Sequence, residues 1–457
     1  MRHTTLSDIA QVIGGRLEPS EAENVFVSGV STDTRELHPG DLFFALVAER
    51  DGHDFLPQAL EAGALAAVIS KDIQLDCPNI KVSDTLRALN NLAAHYRRTF
   101  RQRASGKLPV IGITGSVGKT TTRAAIAHIL SGKYQTMQSE RNFNNLIGLA
   151  LSILRIEEYH EIAVLELGIN VPGEMVRLAS MAAPDYAVIL NVTPVHLEGL
   201  GSLDNVASEK LKLLEYMGDG KAFLNADDVR LVSQKIVPAE RVITFGIADN
   251  ADYQVTDFSN DARGKASFKI NGREIHMSIG GKGAAYSAAC AWAVAVEFDI
   301  PEDEIVARLA EFSGVQSRLQ IRRYGEVTVL DDVYNSSPKA AEAALELLST
   351  MDGSRKIAVL ADMLELGNER LKFHDELGRI AAKTGVAFLI LYGELSKVAA
   401  ESAVAAGMSP NTVFWTDDFS ELETAVMGAL KPGDVVLLKG SRSMGMERIL
   451  KKLEETL

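Results

Sequence analysis

Residues 112–122 read GITGSVGKTTT. Gly115, Ser116 and Gly118 allow a tight turn with open backbone N–H groups, and Lys119 and Thr120 follow at once. Amide hydrogens gathered at a helix start attract phosphate oxygens. In such a loop Lys119 reaches the β- and γ-phosphates, and the Thr120 hydroxyl is placed to ligate Mg2+. The usual G-x-x-x-x-G-K-[ST] spacing is missed by one residue, because Ile113 stands where the first glycine belongs. Gly112 and Gly115 retain the backbone freedom that the turn needs.

A second group with chemistry is a lysine on an apolar stripe. The segment GSLDNVASEKLKLLEYM (201–217) has helical spacing, with Ser202 as its N-cap. Leu203, Val206, Lys210, Leu213, Leu214 and Met217 share one face, while Asn205, Ser208, Glu209, Lys212 and Glu215 make the other. Burial disfavours an ammonium and lowers its pKa. A neutral amine at Lys210 can react with CO2, and the resulting carbamate is an anion able to ligate Mg2+. The competing reading is a lysine that snorkels to the surface. Glu166 ends the run AVLELG, and His196 follows YAVILNV. Ligands of doubly wound sheets gather beyond the C-terminal strand ends. Thr120, Glu166 and His196 are therefore expected to meet around a hard cation.

The elements that must position these groups are short apolar runs, each ending in polar or glycine residues. LPVIGIT, IAVLELG, YAVILNV, KAFLN and RVITFG read as buried parallel strands, and VTVLDD, KIAVLADM, AFLILYG and DVVLLKG repeat the theme. The expected fold class is α/β in three domains, with a central P-loop-type doubly wound sheet and a C-terminal Rossmann-like domain. The basic stretch RRTFRQRASGKLP (97–109) reads as a linker, and a second break falls near EFSGVQSRLQ (311–320), at Gly314. The expected domains are 1–106, 107–315 and 316–457.

At 457 residues the chain exceeds one core. It contains no apolar run of about 18 residues, so no membrane span is expected, and no signal peptide is read at its start. Two cysteines, Cys77 and Cys290, make neither a disulfide framework nor a metal motif. Together these features predict a cytoplasmic protein. The formal charge of −14 argues against nucleic-acid binding, so an anionic ligand must meet local positive groups.

GITGSVGKTTT, RNFNN, VLELGIN, HLEG, DDVYNSSP and DMLELG, in this order, resemble the Mur ligase family of peptidoglycan synthesis. The resemblance runs from STDTR (31–35) to KGSRSMGME (439–447). DDVYN followed by DMLELG is similar to the member that adds D-alanyl-D-alanine to UDP-N-acetylmuramoyl-tripeptide. The Asp-Asn-Pro-Arg motif of the diaminopimelate-adding members is absent.

The resemblance implies an N-terminal domain for the UDP end of the substrate, a central ATP domain and a C-terminal lid, in a monomer. It implies that Gly115, Ser116, Gly118, Lys119, Thr120 and Thr121 bind the nucleotide, joined by Arg318, Asp331, Asp332 and Asn335. Two Mg2+ ions are expected, with Thr120, Glu166, His196 and carbamylated Lys210 as ligands or neighbours. Lys119, Lys210 and His196 are the expected catalytic residues. Ser31, Thr32, Asp33 and Arg35 are expected at the uridine diphosphate, and Asn144 and Asn145 beside phosphate and metal. Lys439 and Arg442 follow a strand, where a basic group could meet the peptide carboxylate or a phosphate. Asp362, Glu365 and His374 carry no assigned role.

The chain departs from the family at G-x-H-N-x-x-N, which here reads GKGAAYS, with Gly283, Ala284 and Ser287 at the polar positions. Ala340 replaces a common Ser after NSSP. Readings that compete with the ligase are a relative with another acceptor, a kinase or ATPase, and a nucleotide-gated binding module.

Overall fold

In this computed structural model, which describes residues 4–103, 108–140 and 142–456, all nine apolar runs quoted above contain strands. Val110–Thr114 and Ile162–Glu166 are buried at every position, as expected where helices cover both faces of a parallel sheet. The central sheet has nine strands. In spatial order they are Arg273–His276, Ala266–Ile270, Tyr253–Asn260, Val242–Gly246, Ala222–Asn225, Tyr186–Ile189, Val110–Thr114, Ile162–Glu166 and Thr136–Gln138. All pairings are parallel except the two that join the first three strands. Helices Lys119–Leu130 and Lys282–Glu297 cover one face, and Leu146–Leu154, Glu174–Ala182 and Leu203–Glu215 the other.

The C-terminal sheet has six strands in the order Gln320–Tyr324, Val327–Asp332, Val435–Lys439, Lys356–Ala361, Phe388–Tyr392 and Val413–Thr416. Only the first is antiparallel to its neighbour. A smaller five-stranded sheet lies within residues 16–81. Its strands are two to four residues long, too short to stand out as periodic runs.

The expected linker at 97–109 is corrected in part. Helix Thr85–Arg103 runs through its first half, while 104–107, and with them the expected limit at 106/107, lie outside the described residues. Arg97 is fully buried; its Nε donates to Ala182 O at 3.1 Å and its Nη2 to Asp185 Oδ2 at 2.8 Å. The basic character that suggested solvent marks instead a guanidinium buried and ion-paired in the interior. One continuous apolar core joins Leu6, Phe44 and Leu89 to Leu149, Met175 and Leu213. The helix thereby fastens the first domain to the central sheet.

Candidate active site

The phosphate-type loop leaves strand Val110–Thr114 and enters helix Lys119–Leu130 through Gly118, whose φ of 89° suits glycine. At Gly115 a Cβ would approach Leu190 Cβ to 2.8 Å, so the loop can pass this close only without a side chain. Asn191 Oδ1 accepts from Ser116 N at 3.1 Å and Val117 N at 2.9 Å, and Asn191 Nδ2 donates to Val117 O at 3.0 Å. Ser116 Oγ donates to Thr193 O and accepts from Thr193 N. The segment after strand Tyr186–Ile189 thus braces the loop. Asn191 went unread because only its place at a strand end marked it.

Lys119 Nζ folds back onto the loop carbonyls of Gly115, at 2.8 Å, and Ser116, at 3.3 Å. Burial holds its ammonium below the ordinary range; Glu166 opposes this and Arg318 adds to it. Thr121, next to Thr120, lies in the first turn of the same helix. Thr120 Oγ1 donates to Glu166 Oε2 at 3.0 Å, and Asn144 Nδ2 donates to Glu166 Oε1 at 2.9 Å. Arg318 Nη2, from the C-terminal domain, reaches Thr120 Oγ1 at 3.4 Å. Thr120 and Asn144 therefore meet on one carboxylate, and Arg318 joins them through the Thr120 hydroxyl. A hydroxyl and a carboxylate are hard oxygen donors and fit Mg2+. Among the described residues no three His, Cys, Asp or Glu side chains form a metal cage. The expected donor set includes only two residues of those types, Glu166 and His196.

Helix Leu203–Glu215 begins at Ser202, whose side chain accepts from Asn205 N, and it buries Lys210 almost completely. Lys210 has no hydrogen bond or ion pair among the described residues. Burial pulls its pKa well below the ordinary range, and the charge of Lys119 pushes the same way. Snorkelling is excluded. Glu209, read onto the polar face, is also buried. Its carboxylate accepts from Gly173 N at 2.8 Å and Met175 N at 3.0 Å, satisfying the start of helix Glu174–Ala182, and pairs with Lys212. The reason is that this helix packs on two sides, so a single stripe understates its buried face.

His196 stands apart from this cluster. Its Nδ1 lies 2.6 Å from Glu365 Oε2, across the junction of the central and C-terminal domains, and it makes no hydrogen bond to Thr120, Glu166 or Lys210. Both residues have left-handed backbones, at φ 53° and 63°. Such backbones are uncommon for non-glycine residues and cluster at functional sites.

Arg318 sits between Ser317 and Leu319, at φ 56° and 51°. The Asp331/Asp332 pair holds this turn. Ser317 Oγ donates to Asp331 Oδ2 at 3.1 Å, and Leu319 N to Asp332 Oδ1 at 3.2 Å. Arg322 Nε pairs with Asp331 at 3.0 Å, and Lys439 Nζ with Asp332 at 2.5 Å. Burial raises both carboxyl pKa values, with the paired cations opposing. Lys439 Nζ also donates to Asn335 O at 2.9 Å. In this structure the acidic pair supports the arginine that reaches the loop.

Asn145 caps helix Leu146–Leu154, its Oδ1 accepting from Ile147 N at 3.1 Å and Gly148 N at 2.9 Å. Asn145→Ala is expected to cost about 1 kcal/mol of stability, read as a lowered denaturant midpoint at unchanged slope. In the first domain, buried Ser31 makes a local turn with the backbone of Asp33, and Thr32 is half-buried. Exposed Arg35 grips Asp33 with Nη2–Oδ2 at 2.6 Å and lowers its pKa. Ser287 Oγ accepts from Thr122 Oγ1 at 3.0 Å, tying helix Lys282–Glu297 to the loop helix. Ala284 is buried, and a Cβ at Gly283 would meet nothing within 4 Å. Asp362 caps helix Ser396–Ala405 through Ser396 N at 2.7 Å, and buried His374 accepts from Met363 N at 3.1 Å. Both make structural contacts within the C-terminal domain.

A phosphate-type loop on a doubly wound sheet, met by an arginine from a separate Rossmann-like domain, defines a class of nucleotide-using enzymes. Residues 113–295 match the Mur ligase middle domain, and 317–442 match the Mur ligase, glutamate ligase domain. The chain is 34% identical to the UDP-N-acetylmuramoyl-tripeptide–D-alanyl-D-alanine ligase of Bacillus subtilis, over 99% of this chain and 98% of that one. It is 32% identical to the Escherichia coli enzyme of the same name, over 100% and 99%. The crystal structure of MurF from Acinetobacter baumannii superposes with a TM-score of 0.88 at 26% identity, covering 100% of this chain and 99% of that one. MurF from Thermotoga maritima in complex with ADP gives 0.80 at 27% identity, covering 93% and 97%. The chain belongs to the Mur ligase family.

Proposed function

We propose that this chain is an ATP-dependent amide ligase that joins D-alanyl-D-alanine to UDP-N-acetylmuramoyl-tripeptide through an acyl phosphate, in the cytoplasm. The observation that carries this reading is the convergence of Arg318, Thr120, Asn144 and Glu166 from different segments at the loop. A loop used for nucleotide binding alone has no need of a cation brought from another domain.

When bound, Mg2+ supplies the positive charge that lets the substrate carboxylate approach the γ-phosphate of ATP. Thr120, Glu166 and carbamylated Lys210 would hold the metal, joined by His196 once it is released from Glu365. Lys119 turns from the Gly115 and Ser116 carbonyls to the phosphate and stabilises the charge that develops there. The tripeptide carboxylate attacks the γ-phosphorus, giving an acyl phosphate and ADP. The dipeptide amine attacks the acyl carbon, and phosphate leaves from the tetrahedral intermediate as the amine loses a proton. Arg318, held by Asp331 and Asp332, closes over the reacting groups and helps exclude water, which would hydrolyse the acyl phosphate. Ser31, Thr32, Asp33 and Arg35 hold the uridine diphosphate end.

The test is phosphate release from ATP and Mg2+ with each of the other two substrates omitted in turn. Release that requires both, with a pentapeptide product by mass, is the expected result. Release without the dipeptide would replace the ligase by an ATPase or kinase.

A further inference from the structure

We infer that Arg442 receives the terminal carboxylate of the acceptor dipeptide, with the Tyr334 ring holding it in register with Arg318; this rests on the ligase reading above. The Arg318 Cζ lies 4.0 Å from the Tyr334 ring centroid and the Arg442 Cζ 5.5 Å from it. A ring face attracts each guanidinium, but two cations sharing one ring repel each other. The arrangement favours an anion beside it. Two other cations of this domain are matched by the acidic pair, Lys439 by Asp332 and Arg322 by Asp331, and buried Arg123 donates to Ser139 O. Arg318 itself is turned towards Thr120. Arg442 has a largely exposed side chain, held only by a long pairing with exposed Glu447 at 3.9 Å.

The acceptor has the matching chemistry. Its amine must reach the acyl carbon near Thr120, and its other end is a carboxylate. An extended dipeptide spans about 7 Å, the scale on which two guanidiniums can share one ring. Tyr334 is then a positioning residue, and Arg442 a substrate-contacting one. Phosphoryl oxygens share the oxyanion chemistry, so the experiment separates the two sources.

Steady-state kinetics would compare D-alanyl-D-alanine with its C-terminal amide, in the wild type, Arg442→Met, Arg442→Lys and Tyr334→Leu. In the wild type the amide is expected to show a KM ~10- to 100-fold above that of the dipeptide, the usual scale for a hydrogen bond to a charged group. Arg442→Met should raise the dipeptide KM to the level of the amide, leave the amide unchanged and leave the KM for ATP unchanged. Arg442→Lys should restore part of the preference, and Tyr334→Leu should lose part of it. A preference that persists in Arg442→Met overturns the inference alone. A raised KM for ATP with the preference intact overturns it in favour of a phosphate contact. Wild-type phosphate release that needs no dipeptide overturns the ligase reading and this inference with it.

Discussion

Lys210→Ala is expected to lower amide formation on the order of 10²- to 10³-fold, the scale for removing one charged group from a preorganised reaction centre. The side chain is buried, unpaired and close enough to Lys119 for the two charges to oppose each other. Such a position is poor for an ammonium and good for a neutral amine that captures CO2. Short carboxylic acids added to the variant are therefore expected to restore part of the rate, because they replace the missing anion. Rescue that depends on acid size, and that is absent in the wild type, would support the carbamate. A variant that folds, binds ATP and shows no rescue would remove the carbamate and leave the ligase standing.

Lys119→Ala is expected to reduce ADP formation by about 10³-fold or more, with the substrate carboxylate present at saturation. Among the described residues Lys119 donates to loop carbonyls and forms no ion pair, and Glu166 keeps its hydrogen bonds from Thr120 and Asn144 when the lysine is lost. The folded state should survive, and thermal unfolding should confirm it. The two variants separate in nucleotide binding. Loss of Lys119 weakens the hold on the phosphates, whereas loss of Lys210 leaves that hold nearly unchanged. Equal weakening of ATP binding in both would show that the two lysines act as one electrostatic unit, and a single-turnover assay would then reapportion their roles.

The strands that carry the site were legible because parallel strands buried on both faces are written as short apolar runs. Thr120 and Glu166 could be paired in advance because both end or follow neighbouring strands, and the pairing is direct. The link from Asn144 to Glu166 and the reach of Arg318 to Thr120 depend on long-range folding that no local spacing encodes. Asn191 was invisible for the same reason. Glu209 was misplaced because helical periodicity assigns one buried stripe, while this helix also buries a carboxylate that caps its neighbour. His196 shows a further limit. The strand-end rule placed it beyond the right edge of the sheet, but its partner, Glu365, comes from another domain.

The burial of Arg97 between Ala182 O and Asp185 has a mechanical consequence. With that helix packed into the shared core, the first domain and the central sheet are expected to move as one lever arm, with the chain between helix Glu302–Glu311 and strand Gln320–Tyr324 as the pivot. Arg318 lies within that pivot, between two residues with left-handed backbones. The angle of the joint and the aim of the arginine are thereby one coordinate. A cross-link spanning the pivot would freeze both at once, and cutting away the first hundred residues would strip a working surface from the arm rather than free an independent motor.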